Sequence, residues 1–251
     1  MSGATPLAVV YGGGGPLATA FGMGVADALT AGGIRMAEVP VLGTSGGAVA
    51  AAAVRASLSY DQVAEVLSRV RLPERQPGHL RVLGEELFGH HHDPLLWTSV
   101  VRLKTGRRTR LSGRDFPVPA IVAASCAVPL LASPERIGGY RYIDGGARSW
   151  VSADMAPHAD HLIVIAPILT PAFGRFGGLL KTHLGVELRR WNRRSGGRIS
   201  VIRVSEDIAC RVRRWADLFD RRLATEAHAH AKHHTAQELS PGGRLHDVLH
   251  R

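Results

Sequence analysis

Three short stretches of this chain supply the residue types needed to cleave an ester. Gly43-Thr44-Ser45-Gly46-Gly47 follows the apolar run Val39-Pro40-Val41-Leu42 and leads into the alanine-rich stretch Ala48 to Ala56. It is a Gly-x-Ser-x-Gly sequence in a strand-to-helix setting, a sharp turn that lifts a serine hydroxyl clear of its neighbours. A hydroxyl becomes a useful nucleophile only when a base takes its proton. Asp144 ends the run Tyr140 to Ile143 and precedes Gly145-Gly146, so it offers a carboxylate at a strand end. Gly12-Gly13-Gly14-Gly15 follows Leu7 to Tyr11 and opens a helical pattern, where bare backbone N–H groups stabilise a developing oxyanion. The chemistry expected is acyl transfer through Ser45, with Asp144 as proton acceptor and Gly12, Gly13, Gly14 and Gly15 as oxyanion hole. Gly43, Thr44, Gly46 and Gly47 build the elbow. This chemistry needs no metal and no organic cofactor.

Each piece has another reading. A glycine-rich turn before a helix also cradles pyrophosphate, but here the dinucleotide spacing is met only with Ala18 in its last place. Asp-Gly by itself is a common turn. The chain holds 13 histidines, and His158, His161, His183 and His228 all follow Asp144, the order of a Ser, acid, His triad. His90-His91-His92-Asp93 and the pair His230 and His234, four apart on a helix face, resemble metal tracts. Neither has a glutamate or cysteine cluster to complete a ligand set.

The elements that must position these residues follow from the apolar pattern. Strands are expected at Leu7–Tyr11, Val39–Leu42, Ala120–Ala124, Tyr140–Ile143, Leu162–Ala166 and Ile199–Val204. A helix is expected from Pro16 to Leu29, stopped by Gly32-Gly33, and one or two more from Ala209 to Leu239. Strands alternating with helices predict a mainly parallel sheet covered on both faces. Residues 1–251 read as a single domain. Within it, about 72–119, with Pro73, Pro77, Pro94 and the histidine run, reads as a lid or insertion of short helices over the site. Leu95 to Val101, with Trp97, is expected there as a packed lid helix or a lipid contact.

Composition narrows the function classes. Of 251 residues, 45% are hydrophobic and 21% charged, the balance of a globular protein long enough for a sizeable core. No apolar run is long enough to span a bilayer. Met1 to Pro6 lacks the basic region and apolar core of a secretory signal, and two cysteines are too few for a disulfide framework. A cytoplasmic location is therefore expected. The net charge of +10 is mostly arginine, clustered at 102–114, 189–194 and 211–222. Such clusters suit an anionic membrane surface, which the protein would meet peripherally, or an acidic acyl carrier. Nucleic acid is not expected, because no recognition motif is present and only 6% of residues are aromatic.

In these motifs the chain resembles the patatin-like phospholipases. That family carries a glycine-rich loop near its N-terminus, a Gly-x-Ser-x-Gly elbow soon after, and Asp-Gly-Gly or Asp-Gly-Ala much later, matching here Gly12 to Gly15, Gly43 to Gly47 and Asp144 to Gly146. Ala123 to Pro129, Ile137 to Ser149 and His161 to Pro167 are similar to its bacterial members, so the resemblance runs over about 6–168. It implies a three-layer α/β/α patatin-like fold, a Ser45–Asp144 dyad, and an acyl-enzyme formed from a lipid or acyl-ester substrate. An acyltransferase on the same acyl-enzyme, or an inactive lipid-binding or regulatory member, would share these features. The family's loop usually carries Arg or Lys after its glycines; this chain has Pro16-Leu17.

Overall fold

β1 (Thr5–Tyr11) alternates its side chains between two apolar layers, and this alternation sets the architecture. Val9 and Tyr11 join one buried cluster; Ala8 and Val10 join the other. The structure, a computed structural model, describes residues 5–168 and 174–246, so the N-terminal stretch Met1–Ala4 lies outside the described residues.

On the first face pack α1 (Gly15–Ala31), α2 (Gly46–Arg55), α5 (Val118–Cys126) and α8 (Arg221–Leu239). On the second lies α6 (Gly174–Ser195), contributing Leu184 and Trp191. Between the layers runs one sheet. Its parallel part is β3 (Leu96–Arg102), β2 (Val41–Gly43), β1, β7 (Ala159–Ala166) and β8 (Arg198–Arg203), in that order. β4 (Arg107–Ser112) and β6 (Tyr140–Asp144) both pair antiparallel with β3, and β5 (Glu135–Ile137) pairs with β6. The fold is thus α/β/α with a mainly parallel sheet, as the sequence predicts. The shorter helices are α3 (Tyr60–Leu67), α4 (His79–Phe88) and α7 (Glu206–Ala209).

α1 is apolar nearly all round because it is covered on two sides, by the sheet and by α8. A Cβ on Gly24 would fall 2.2 Å from the His228 carbonyl oxygen, so glycine sets how closely these helices approach.

Two elements differ from expectation. Ala120–Ala124 is not a strand but the middle of α5, whose residues from Val118 to Ser125 are all buried. A short helix buried on every side has no polar face, so its sequence has no period to separate it from a buried strand. Pro117 and Pro119 at its start were the available signal. Leu96–Arg102 is not a lid helix but β3, with β4 hydrogen-bonded beside it; of the segment 72–119, these strands belong to the central sheet.

Candidate active site

Ser45 sits between β2 and α2 with φ 54° and ψ −129°, a conformation that costs a non-glycine residue on the order of 1–3 kcal/mol. The crowding around it explains the glycines. A Cβ on Gly46 would lie 2.1 Å from the Gly15 carbonyl oxygen, and one on Gly47 would lie 2.3 Å from that of Tyr11. On Gly43 it would lie 2.3 Å from the Ala48 Cα. The elbow and the N-terminal glycine loop therefore pack backbone to backbone. Thr44 is buried beneath them, its N–H donating to the Tyr11 carbonyl at 3.0 Å.

Asp144 reaches Ser45 from the antiparallel side of the sheet. It ends β6 opposite Val100 of β3, and is 3% exposed. The Ser45 side chain lies close enough to the Asp144 carboxylate to favour the charged form, and the Gly146 N–H donates to Oδ1 at 2.6 Å. Burial pushes the carboxyl from 3.8 up to about 6, outweighing both of these influences. Gly145 is required because a Cβ there would fall 2.5 Å from Ser99 Oγ. The Cys126 thiol lies near enough to be held protonated, by burial first and by the Asp144 charge second.

The four glycines expected as oxyanion donors divide into two pairs. Gly12 donates its N–H to Ile165 O at 2.8 Å, and Gly13 donates to Trp150 O at 2.7 Å. Those bonds fix the loop against β7 and the segment after Asp144. Among the described residues, the N–H groups of Gly14, Gly15 and Gly46 donate to no protein acceptor. Gly14, at φ 141°, and Gly15, at φ 60°, turn the chain into the start of α1. Leu218 and Phe219 lie over Gly15, and Trp215 rests against Trp150 at 5.1 Å between ring centroids.

Sequence reasoning missed the layer beneath Ser45. The Ser45 N–H donates to Ser125 Oγ at 3.0 Å, and that hydroxyl donates to Ser99 O at 2.8 Å. Ser152 Oγ donates to Ser99 Oγ at 2.8 Å. All three serines are fully buried. Ser125 lies in the stretch Ala123 to Pro129 that resembles the family, which was the one pointer to it.

The histidines weighed as a triad base are engaged elsewhere. His158 bonds with Ser195 at 3.1 Å, His161 with Ser200 at 2.9 Å, and His228 lies 3.2 Å from Asp27. His183 lies 3.6 Å from Glu187. Asp93 is paired with Arg55, and the rings of His230 and His234 are 5.9 Å apart. Among the described residues, no group of three or more His, Cys, Asp or Glu side chains is arranged to hold a metal ion.

Comparison with known proteins finds a family match over part of the chain. The family model "Patatin-like phospholipase" matches residues 82–157, a span that contains Asp144 and Ser125 but not Ser45 or the glycine loop. No curated protein matches the chain. Among solved structures it is similar to VipD from Legionella pneumophila, at 12% identity and a TM-score of 0.46, covering 93% of this chain and 67% of that one. No described helix is long and apolar enough to cross a membrane. The resemblance that the motifs carry is thus met by the family model: this chain is similar to the patatin-like phospholipases, a family of lipase and phospholipase-type hydrolases.

Proposed function

We propose that the protein is a serine acyl hydrolase acting on carboxylic esters of lipids through a Ser45–Asp144 dyad. One observation supports this reading: a serine in a strained strand-to-helix turn lies beside a buried carboxylate whose pKa is raised to about 6. A base of that pKa is ionised at neutral pH yet holds a proton more firmly than an exposed aspartate does.

Each step follows from the positions of these groups. Asp144 takes the Ser45 proton as Oγ attacks the ester carbonyl. The tetrahedral oxyanion is held by N–H groups not used within the fold, those of Gly14, Gly15 and Gly46. The starts of α1 and α2 add their positive ends at the same place. Asp144 then gives its proton to the leaving alcohol, and the acyl group stays on Ser45. In the second half Asp144 accepts a proton from the water that attacks the acyl-enzyme, then returns it to the departing Ser45 Oγ as the acid is freed. No histidine takes part. An acceptor alcohol in place of water would give acyl transfer by the same route.

The test is the intact mass of the protein after a fluorophosphonate probe, for wild type, Ser45→Ala and Asp144→Asn. A single adduct on wild type, absent in Ser45→Ala and much slower in Asp144→Asn, is expected. Labelling that survives loss of Asp144 would overturn the dyad. No labelling of wild type would favour an inactive, lipid-binding protein.

A further inference from the structure

The basic run that includes Arg102 and Lys104 gains a partner set in the fold. Arg102, Lys104, Arg136 and Arg141 line an open cleft of about 310 Å³, together with Leu103, Gly139 and Tyr140. The β5–β6 hairpin sets Arg136 directly opposite Arg141 on one face of the ladder, and Arg102, opposite Tyr142, belongs to the other. Like charges opposite each other in an antiparallel ladder are destabilising.

Nothing among the described residues neutralises them. Arg55 pairs with Asp93, Arg81 with Glu135, and Arg108 with both Asp154 and Glu187, yet no carboxylate lies within ion-pair distance of Arg102, Lys104, Arg136 or Arg141. The Arg102 guanidinium lies 3.3 Å from the Tyr140 ring centroid, and its Nε is buried without a hydrogen-bond partner. Four unneutralised cations held in one cleft, three of them with the planar fork that matches phosphate oxygens, make a site for a multiply charged oxyanion.

We propose that this cleft binds a phosphate-bearing group. Its place in the sheet suggests which source. β3 runs parallel to β2, and Thr98 is the register partner of Gly43 in the elbow. Arg102 lies beyond Thr98 along the strand by roughly 13 Å, at about 3.3 Å per residue. The cleft therefore projects past the Ser45–Asp144 level on the same edge of the sheet, and a bilayer laid against that edge would meet the cleft first. The assignment to a lipid headgroup rests on the hydrolase reading; the anion site does not.

The experiment measures vesicle co-sedimentation, which needs no turnover, so an inert Ser45 leaves its result standing. Phosphatidylcholine vesicles with and without phosphatidic acid are compared for wild type, the Arg136→Gln/Arg141→Gln double variant, and an Arg189→Gln/Arg193→Gln control. The control removes the same charge from exposed positions of α6. Thermal melting checks that all three fold. We expect the cleft variant to lose about tenfold in affinity for the acidic vesicles, the control to change by less than about twofold, and glycerol 3-phosphate to compete. Equal losses in both variants would mean diffuse attraction of a basic protein and would overturn the site. Glycerol 3-phosphate binding that depends on Arg136 and Arg141, with no vesicle binding, would support the site and overturn the lipid source. Binding of neither would overturn both.

Discussion

The Ser45 backbone N–H is not aimed at substrate: it donates to Ser125 Oγ, 3.0 Å away on α5. Ser125 in turn donates to Ser99 O on β3, so one hydroxyl ties the Ser45 backbone to the sheet and to the helix beneath it. This bond helps to hold the elbow at a positive φ that a serine does not adopt freely.

Ser125→Ala should therefore disturb position more than binding. Leaving the Ser45 N–H without its partner costs about 1–3 kcal/mol. Steady-state kinetics on a short-chain ester should give kcat lowered by roughly 10- to 100-fold with KM little changed. An unchanged kcat would mean that the elbow keeps its shape without Ser125.

Activity should rise with pH through about 6, where Asp144 ionises, and then level off. Below that pH the carboxyl is protonated and cannot accept from Ser45. A kcat/KM profile on the same ester checks this, and Asp144→Asn should lower the whole profile by about 10³- to 10⁴-fold, as loss of the acid does in other serine enzymes.

The same substitution should stabilise the fold. Burial raises the Asp144 pKa, so the native state binds this proton more tightly than the unfolded chain. The stability linked to this group is full below about pH 4 and is lost as pH rises through about 6. The shift corresponds to roughly 3 kcal/mol above pH 7. Asparagine keeps an acceptor for Gly146 and carries no charge, so Asp144→Asn should melt several degrees higher than wild type at pH 8. That advantage should vanish near pH 4 in matched calorimetric scans.

Gly46→Ala should fail more severely than its single methyl suggests. Its Cβ would fall 2.1 Å from the Gly15 carbonyl oxygen, backbone against backbone, so the elbow and the glycine loop must separate. Loss of at least 100-fold in kcat/KM is expected, with a melting temperature lowered by several degrees. Gly33→Ala, at φ 98° with open space around it, should cost on the order of 1 kcal/mol and leave catalysis intact.

The thiols should respond unequally to alkylation. Cys210 is exposed, whereas Cys126 is held protonated beside Asp144. Native protein treated briefly with iodoacetamide near pH 8 should carry its adduct on Cys210, with Cys126 labelled only after denaturation, as peptide mapping would read.

Much of the frame was legible in the sequence because buried parallel strands are short apolar runs that end in glycine or proline. Leu7–Tyr11, Val39–Leu42 and Leu162–Ala166 all lie in or against such strands. Local signals failed where burial removed the period, as in α5, and where a strand ran beside proline and histidine-rich sequence, as in β3. In the candidate site, the tight turns that carry Ser45 and Asp144 were legible because they need glycine for steric reasons that leave a mark on the chain. The Ser45–Ser125–Ser99 connection leaves no such mark, since one serine in an apolar run signals no partner. Nor can a run of glycines reveal which N–H groups the fold itself consumes. That is set by Ile165 and Trp150, far along the chain.

The proposed base, Asp144, is carried on β6, while the proposed nucleophile, Ser45, sits after β2. In a chain made from its N-terminus, the elbow, the glycine loop and strands β1 to β4 all emerge before Asp144 exists to accept a proton. On the proposed mechanism, the nascent chain carries its nucleophile without its base, and acyl transfer begins only once β6 is made and docks on β3.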